Sequence, residues 1–496
     1  MELQWDKKQI PCLRTKLREV QNQEQTLEVR LSDEMPDIGR IICGWGQSVI
    51  CSKEWRSDGM TISGGVMAWI LYAPEDGSAP RSVESWLPFS MRWSFASGDR
   101  DGIICGDVKV RAVDARVLSA RKMMVRTSVS ALGEALESMN VEVYAPMHEN
   151  QDVQLLVRTY PMTVAAEAGE KAFLIDEDVQ IGGNGLHKII SCCVNPILTE
   201  QKIVGGKAIF RGECLLHLVY FDEAEELRSE DFSIPFAQYA DLDRDYDKEA
   251  GVAAWMVVSS LEPERMDGLL WIKCGLVVQY VVLEKHLLEL AQDAYSGAHD
   301  LMASYTELEI PVVLDRRNET IHISQTAADD SSCIVDVCGF WEQPVMRRNG
   351  TRVDGDFAGI VQALCKEDGG QYRATHVRCN HQWTLEAGEK SDVYSNIHMA
   401  APPVATTDGA SVHISAPLEM EIITTAQEQV PMIMGIELGQ RKELDPGRPS
   451  LVLRRSGTDS LWDMAKQYGS TVDAIKKANG LDDYPAEGQI LLIPIP

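Results

Sequence analysis

The sequence lacks any long hydrophobic run, and no stretch approaches the roughly 18 apolar residues that mark a membrane-spanning helix. The first residues, Met1-Glu2-Leu3-Gln4-Trp5-Asp6, also lack the basic region and the apolar core of a secretory signal. We therefore expect a cytoplasmic protein without a transmembrane segment.

Positive charge is scarce in this chain, which has 47 lysines and arginines against 75 aspartates and glutamates and a formal net charge of −28. Nucleic acids and anionic membranes are polyanions, so the composition disfavours both as partners. The surplus of acidic residues lies in residues 1–445, which we call the body, because residues 446–496 hold six basic and six acidic side chains. We interpret the acidic surface as one that serves solubility, and a basic partner is the alternative interpretation.

Signatures of catalysis and of metal binding are also missing. The chain has no phosphate-binding loop, no Gly-x-Ser-x-Gly and no His-Glu-x-x-His. Its twelve cysteines form no CxxC pair, and most lie in apolar runs, which predicts buried, reduced thiols. The densest group of soft ligands is His376, Cys379 and His381, but on a strand His376 points away from the other two. We predict no catalytic residue, no metal site and no cofactor.

The most informative stretch that is present is the C-terminal segment 451–496. A short strand, Leu451 to Leu453, precedes a segment in which Leu461, Met464, Ala465 and Tyr468 share one helical face. Asp459 or Ser460 can cap this helix, and Gly469 can end it. A second helix is predicted over 472–479, ending at Gly480, and a closing strand over 490–493. The predicted order is strand, helix, helix, strand.

This order and four sequence blocks resemble the LysM family. The blocks are Gly457-Thr458-Asp459-Ser460-Leu461-Trp462, Ala465-Lys466-Gln467-Tyr468-Gly469, Asn479-Gly480-Leu481 and Gly488-Gln489-Ile490-Leu491-Leu492-Ile493-Pro494. Family members usually read Gly-Asp-Thr in the first loop, where this chain reads Gly457-Thr458-Asp459. Because that loop lines the sugar groove in glycan-binding members, we expect weak or no binding to peptidoglycan.

The remaining chain repeats one pattern three times, with a period near 145 residues. The best internal match centres on the glycines of Ile62-Ser63-Gly64, Phe210-Arg211-Gly212 and Val353-Asp354-Gly355, each before a long apolar strand. Each copy closes with an Asp-Gly turn, at 101–102, 267–268 and 408–409, which suits a tight hairpin. Many strands with turns between them predict antiparallel β-sandwich or barrel-like domains.

The predicted fold is therefore mainly β, with three tandem β-domains and a small α+β (βααβ) LysM-like domain. The predicted borders are 1–147, 148–297 and 298–443 for the three domains, 444–450 for a linker and 451–496 for the LysM-like domain. Helix is predicted in the body only at two connectors, Ser130 to Met139 and Glu284 to Tyr295.

Three β-domains followed by a LysM domain resemble the SipL-like spore morphogenesis proteins, whose body consists of SPOCS domains. The block Glu34-Met35-Pro36-Asp37-Ile38-Gly39-Arg40-Ile41, the repeated glycines and the Asp-Gly turns carry this resemblance. It implies a non-enzymatic scaffold or adaptor in endospore coat morphogenesis. Its LysM-like module would bind the coat basement-layer ATPase, stage IV sporulation protein A, in the mother-cell cytoplasm and link the coat to the forespore.

We predict that the partner- or glycan-binding patch lies on two loops of the LysM-like module and on an exposed aromatic residue. Its residues are Gly457, Thr458, Asp459, Ser460, Trp462, Asn479, Gly480 and Leu481. Trp462 falls outside the apolar stripe of its helix and could instead cover an edge of the domain. Two other functions stay open: a peptidoglycan-binding cell-wall protein or hydrolase, and a self-assembling fibre or coat subunit.

Overall fold

The computed structural model of this chain describes residues 5–96, 102–146, 152–266, 268–328, 333–443, 447–482 and 485–495. Several predicted features lie outside these residues: Asp101 and Asp267 of two predicted turns, residues 444–446 of the linker, and the border at 147/148. The domain borders as a whole stay predictions.

The first repeat consists of six long strands in two antiparallel sheets. They are β1 (Trp5–Arg30), β2 (Ile38–Arg56), β3 (Gly59–Pro74), β4 (Arg81–Ser94), β5 (Gly102–Ser119) and β6 (Lys122–Pro146). One sheet has the order β1-β6-β5 and the other the order β2-β3-β4. The first strand therefore pairs with the last, while the middle strands form a meander.

The second repeat has the same topology. Its strands are β7 (Gln154–Val179), β8 (Leu186–Val204), β9 (Lys207–Asp222), β10 (Leu227–Asp241), β11 (Gly251–Met266) and β12 (Leu269–Tyr295). They form the sheets β11-β12-β7 and β10-β9-β8, which are the orders of the first repeat. The predicted internal repetition is thus present in the strand topology.

The third repeat follows this plan with two interruptions. Its strands are β13 (His299–Ala328), β14 (Cys333–Trp341), β15 (Val345–Asn349), β16 (Arg352–Lys366), β17 (Tyr372–Glu386), β18 (Ser391–Met399), β19 (Val404–Thr407) and β20 (Ser411–Arg441). The second strand breaks into β14 and β15 around Pro344, and the fifth breaks into β18 and β19 around Pro402-Pro403. Proline lacks the N–H that a continuous ladder requires.

The sheet register places the three repeated glycines in equivalent positions. Each pairs with an aromatic residue of the next strand: Gly64 with Phe89, Gly212 with Phe236, and Gly355 with Trp383. A Cβ atom on Gly212 would lie 2.0 Å from the carbonyl oxygen of Ile197 and 2.7 Å from the ring of Phe236. Glycine recurs at this position because no side chain fits between the strand and the ring.

In each repeat the first and last strands form a long antiparallel pair, and the three pairs pack on one another. Their buried side chains join in one apolar cluster, to which every repeat contributes: Ile10, Val141, Val164, Leu290, Ile310, Val430. Away from this cluster, one polar chain also connects the repeats. Trp45 Nε1 donates to Asp336 Oδ2 at 2.8 Å, and His217 lies 2.7 Å from both Asp336 and Asp231.

Both helices predicted in the body are strands, so that prediction is wrong. Ser130 to Met139 belongs to β6, the central strand of its sheet, and both its faces are mostly buried, which removes the period-two pattern. Glu284 to Tyr295 belongs to β12, where a register shift between Ala291 and Asp293 interrupts the alternation.

Strand makes up 77% and helix 3% of the residues that the structure describes, so the mainly β class is confirmed. None of the helices in the described parts of the chain is long and apolar enough to cross a membrane.

Candidate functional site

The C-terminal module has the predicted order of elements: β21 (Leu451–Arg455), α1 (Leu461–Tyr468), α2 (Val472–Asn479) and β22 (Ile490–Pro494). Ser460 caps α1, since its side chain accepts from the backbone N–H of Asp463 at 3.1 Å and the Asp463 carboxylate accepts from the N–H of Ser460. Both helices end at glycines with positive φ, 67° at Gly469 and 62° at Gly480.

The first predicted loop is exposed along its whole length, from Gly457 to Ser460. The preceding residue, Ser456, exchanges backbone hydrogen bonds with the turn before β22, at 2.8 Å to Gln489 and 3.2 Å from Gly488. The Asp459 carboxylate accepts from Arg454. This exposed loop therefore lies beside the segment that connects α2 to β22.

The second predicted loop is more strongly built into the module. The Asn479 side chain donates to the carbonyl oxygens of Ile475 and Leu492, and accepts from the N–H of Leu492, each at 2.7 Å. Leu481 is half-buried against the module's apolar core, whereas Gly480 is exposed. Asn479 thus holds α2 to β22, a structural role that would itself explain an asparagine here.

Trp462 contacts the body of the protein. Its Nε1 donates to Asp293 Oδ2 at 2.7 Å, and its ring meets the ring of Tyr295 edge-on at 4.9 Å between centroids. Asp293 and Tyr295 end strand β12 of the second repeat. The tryptophan that was predicted to be partly exposed is half-buried, and this contact covers part of its ring.

Asp293 is the electrostatic centre of this contact between module and body. Lys466 Nζ lies 2.7 Å from each of its carboxylate oxygens. Burial opposes ionisation of Asp293, but the hydrogen bonds from Lys466 and Trp462 outweigh it and lower its pKa below the ordinary value. Burial, together with the charge of Asp293, raises the pKa of Tyr295 to about 12, so its hydroxyl remains a donor and binds the Ser470 carbonyl at 2.8 Å.

One further contact brings the backbones of module and body together, and another joins the linker to the module. Gly297 approaches Gly469 so closely that a Cβ atom on Gly297 would lie 2.6 Å from the Gly469 carbonyl oxygen. Arg448, which precedes the module, donates to the Tyr468 carbonyl at 2.7 Å. The sequence contains no signal for this interface, because its two sides lie about 170 residues apart and one side was predicted to be a helical connector.

The histidine and cysteine residues weighed as ligands have ordinary structural surroundings. His376 lies 3.0 Å from the Gln362 side chain, Cys379 is buried, and His381 packs against Phe357 and Trp383. No group of three potential ligands suited to a metal ion occurs within the described ranges. None of the twelve cysteines, all of which lie within the described residues, forms a disulfide, and most are buried, but Cys51 and Cys333 are exposed.

Two family models match the chain. One is the LysM domain, at residues 458–494, which covers both helices and β22 of the module. The other is the SipL, SPOCS domain, at residues 186–261, which covers β8, β9, β10 and much of β11 of the second repeat. No curated protein and no solved structure matches.

The two matched domains are non-catalytic binding modules, and together they indicate a sporulation-related protein that carries a binding module for peptidoglycan or protein. Their order along the chain, SPOCS and then LysM, is that of a SipL-like protein. The resemblance that the sequence predicted is confirmed.

Proposed function

We propose that this protein is a non-enzymatic scaffold of endospore coat morphogenesis whose LysM module binds a protein partner. The observation that supports this most is the order of SPOCS and LysM domains, combined with a module held against the body by Trp462 and Asp293. Because the module is held against the body, its remaining surface has a fixed orientation, and a fixed orientation suits a protein that connects two partners. The proposed partner is the coat basement-layer ATPase, stage IV sporulation protein A, and the proposed location is the mother-cell side of the forespore.

The proposed contact surface is the exposed first loop, Gly457 to Ser460, together with Gly480. Gly457, Thr458 and Asp459 have no side chain in the module's core, so substitutions there can test binding without unfolding the domain, whereas Ser460 caps α1 and Gly480 ends α2. Trp462 stays part of the proposal, although its contact with Asp293 means that a partner using the whole indole ring must displace the body.

Direct binding to the purified ATPase tests this function. The full chain is compared with a chain ending at residue 443, whose three repeats retain every sheet of the body. We expect the full chain to bind and the shortened chain to lose most of its affinity. Equal binding by both chains, with the shortened chain folded by circular dichroism, would assign the partner to the body instead.

Peptidoglycan is the second candidate ligand, because LysM domains are carbohydrate-binding modules. The altered first loop, Gly457-Thr458-Asp459, argues against strong binding, as does an acidic body beside the module. We expect the full chain to stay in the supernatant when purified cell wall is sedimented. If the full chain sediments with the cell wall at micromolar protein concentration, peptidoglycan binding would be better supported than the scaffold function.

A further inference from the structure

A cavity of about 200 Å³ lies where the three repeats meet. Its walls come from β2 and β5 of the first repeat, β8 and β11 of the second, and β14 and β18 of the third. Much of the lining is apolar and contains aromatic rings and methionines: Trp45, Met256, Phe340, Trp341, Met399, Leu418. Apolar cavities of roughly 150 Å³ can hold a molecule the size of benzene. The space is therefore large enough for one aromatic ring.

The cavity wall also carries one hydrogen-bonding ring that has no protein partner among the described residues. The imidazole of His398 lines the cavity and makes no hydrogen bond to any residue that the structure describes. Burial and the nearby charge of Lys109 lower the pKa of His398 to about 4, so the ring is neutral at pH 7. Polar groups inside proteins are normally paired, so this ring nitrogen indicates a polar occupant of the cavity.

The charged side chains of the wall already neutralise one another. Lys109 Nζ lies 2.7 Å from Asp107, and His217 lies between Asp231 and Asp336. Among the described residues that line the cavity, no cation or carboxylate is left unpaired to bind a charged ligand. This favours an uncharged occupant over an anion or an amine.

Both interruptions of the third repeat border this cavity. Trp341 is the last residue of β14 before its break, and Pro402-Pro403 separates β18 from β19, with all three residues in the wall. The matching strands of the other repeats, β2 and β5 or β8 and β11, run without a break. The third repeat thus departs from the shared pattern where the cavity is formed.

We propose that this cavity is a binding site for a small uncharged molecule with one aromatic or similar apolar ring and one hydroxyl group. The ring packs among Trp45, Met256 and Met399. The hydroxyl donates to the free ring nitrogen of neutral His398. This site is independent of the LysM module and of the proposed function, since none of its residues belongs to segment 451–496.

Phenol and toluene are suitable probes, because they have the same shape and differ in one hydroxyl group. Their affinities for the full chain are measured by ligand-observed NMR titration at pH 7. A buried hydrogen bond contributes about 1 to 1.5 kcal/mol, which corresponds to roughly tenfold in affinity. We expect phenol to bind about tenfold more tightly than toluene.

Three variants assign the binding to this cavity. His398→Phe keeps a ring but removes the acceptor, and should reduce the phenol affinity to that of toluene. His398→Gln keeps a hydrogen-bonding group and should retain part of the preference, and it serves as well if His398→Phe does not fold. His322→Phe, at an exposed histidine of β13, is the matched control and should change nothing. If neither probe binds, the cavity holds only water. If both probes bind equally well to all variants, the binding site lies elsewhere. Either result overturns the proposal.

Discussion

His217, Asp336 and Trp45 together connect the three repeats through hydrogen bonds. The two ring nitrogens of His217 contact Asp231 and the almost fully buried Asp336, which in turn accepts from Trp45. Burial favours the neutral ring, but the charge of Asp336 and the hydrogen bonds to both carboxylates outweigh it and raise the pKa of His217 to about 10. At neutral pH the imidazolium is therefore a charged link between the second and third repeats.

Replacing this histidine should destabilise the body. Loss of one member of a buried ion pair costs about 3 kcal/mol, because the remaining charge has no partner. We expect His217→Gln to lower the free energy of unfolding by about this amount in urea titrations at pH 7. His413→Gln, at an exposed histidine beside Asp408, is the control and should change it by less than about 0.5 kcal/mol. Equal effects of the two substitutions would contradict the proposed role of His217.

The same residue predicts a pH dependence. Between the ordinary pKa of 6.5 and the raised value of about 10, the folded protein holds a proton that the unfolded chain releases. The stability contributed by His217 is thus complete below about pH 6.5 and declines as pH rises towards 10, by at most about 1.4 kcal/mol per pH unit. The difference in unfolding free energy between wild type and His217→Gln should shrink from pH 7 to pH 9.5. A constant difference would show that the histidine is not charged.

At the scale of elements, β12 and α1 form the contact that fixes the LysM module. The Asp293 carboxylate accepts hydrogen bonds from both Trp462 and Lys466 of α1, and the Tyr295 ring extends the module's apolar core. These contacts turn a small domain, whose own core is limited, into part of a larger packed unit.

A double-mutant cycle between Asp293→Ala and Lys466→Ala measures this contact. Because the pair is partly buried and shares its carboxylate with Trp462, we expect a coupling free energy of about 1 kcal/mol, read from hydrogen exchange in α1. The cycle of Asp293→Ala with Lys477→Ala, whose lysine is exposed on α2, should give a coupling near zero. Similar coupling in both cycles would mean that α1 does not dock through Asp293.

Local patterns in the sequence predicted the module almost to the residue, but not its docking. Ser460, Gly469 and Gly480 are capping residues that act within a few positions along the chain, so their effect can be read locally. The strand β6 was mistaken for a helix because burial on both faces erases alternation. The Trp462–Asp293 contact has no local signal, since tertiary packing alone brings those residues together.

At the scale of the whole molecule, the three repeats have one topology. Their paired first and last strands share an apolar cluster, and the repeats line a common cavity where they meet. The LysM module contacts the end of β12, the last strand of the second repeat, through Tyr295 and the nearby Gly297. This architecture would let the proposed adaptor present one binding module on a large, internally connected support.

The module should nevertheless fold alone, because its capped helices and its strand pair have their own core of Leu461, Met464, Ile475 and Leu491. We expect the fragment 447–496 to melt cooperatively, at a lower temperature than in the full chain because it lacks Tyr295. Calorimetry of the fragment, with Tyr295→Ala in the full chain as the comparison, checks this. A fragment without a cooperative transition would make the module dependent on the body.

The most direct test of the account is the affinity of stage IV sporulation protein A for the full chain with one residue changed in the exposed loop. Thr458→Arg adds a bulky charge where no core contact exists, so we predict at least a tenfold loss of affinity with an unchanged melting temperature. Lys477→Ala, exposed on α2, is the control and should bind as the wild type does. Wild-type affinity in Thr458→Arg would contradict the claim that this loop of the LysM module binds the partner.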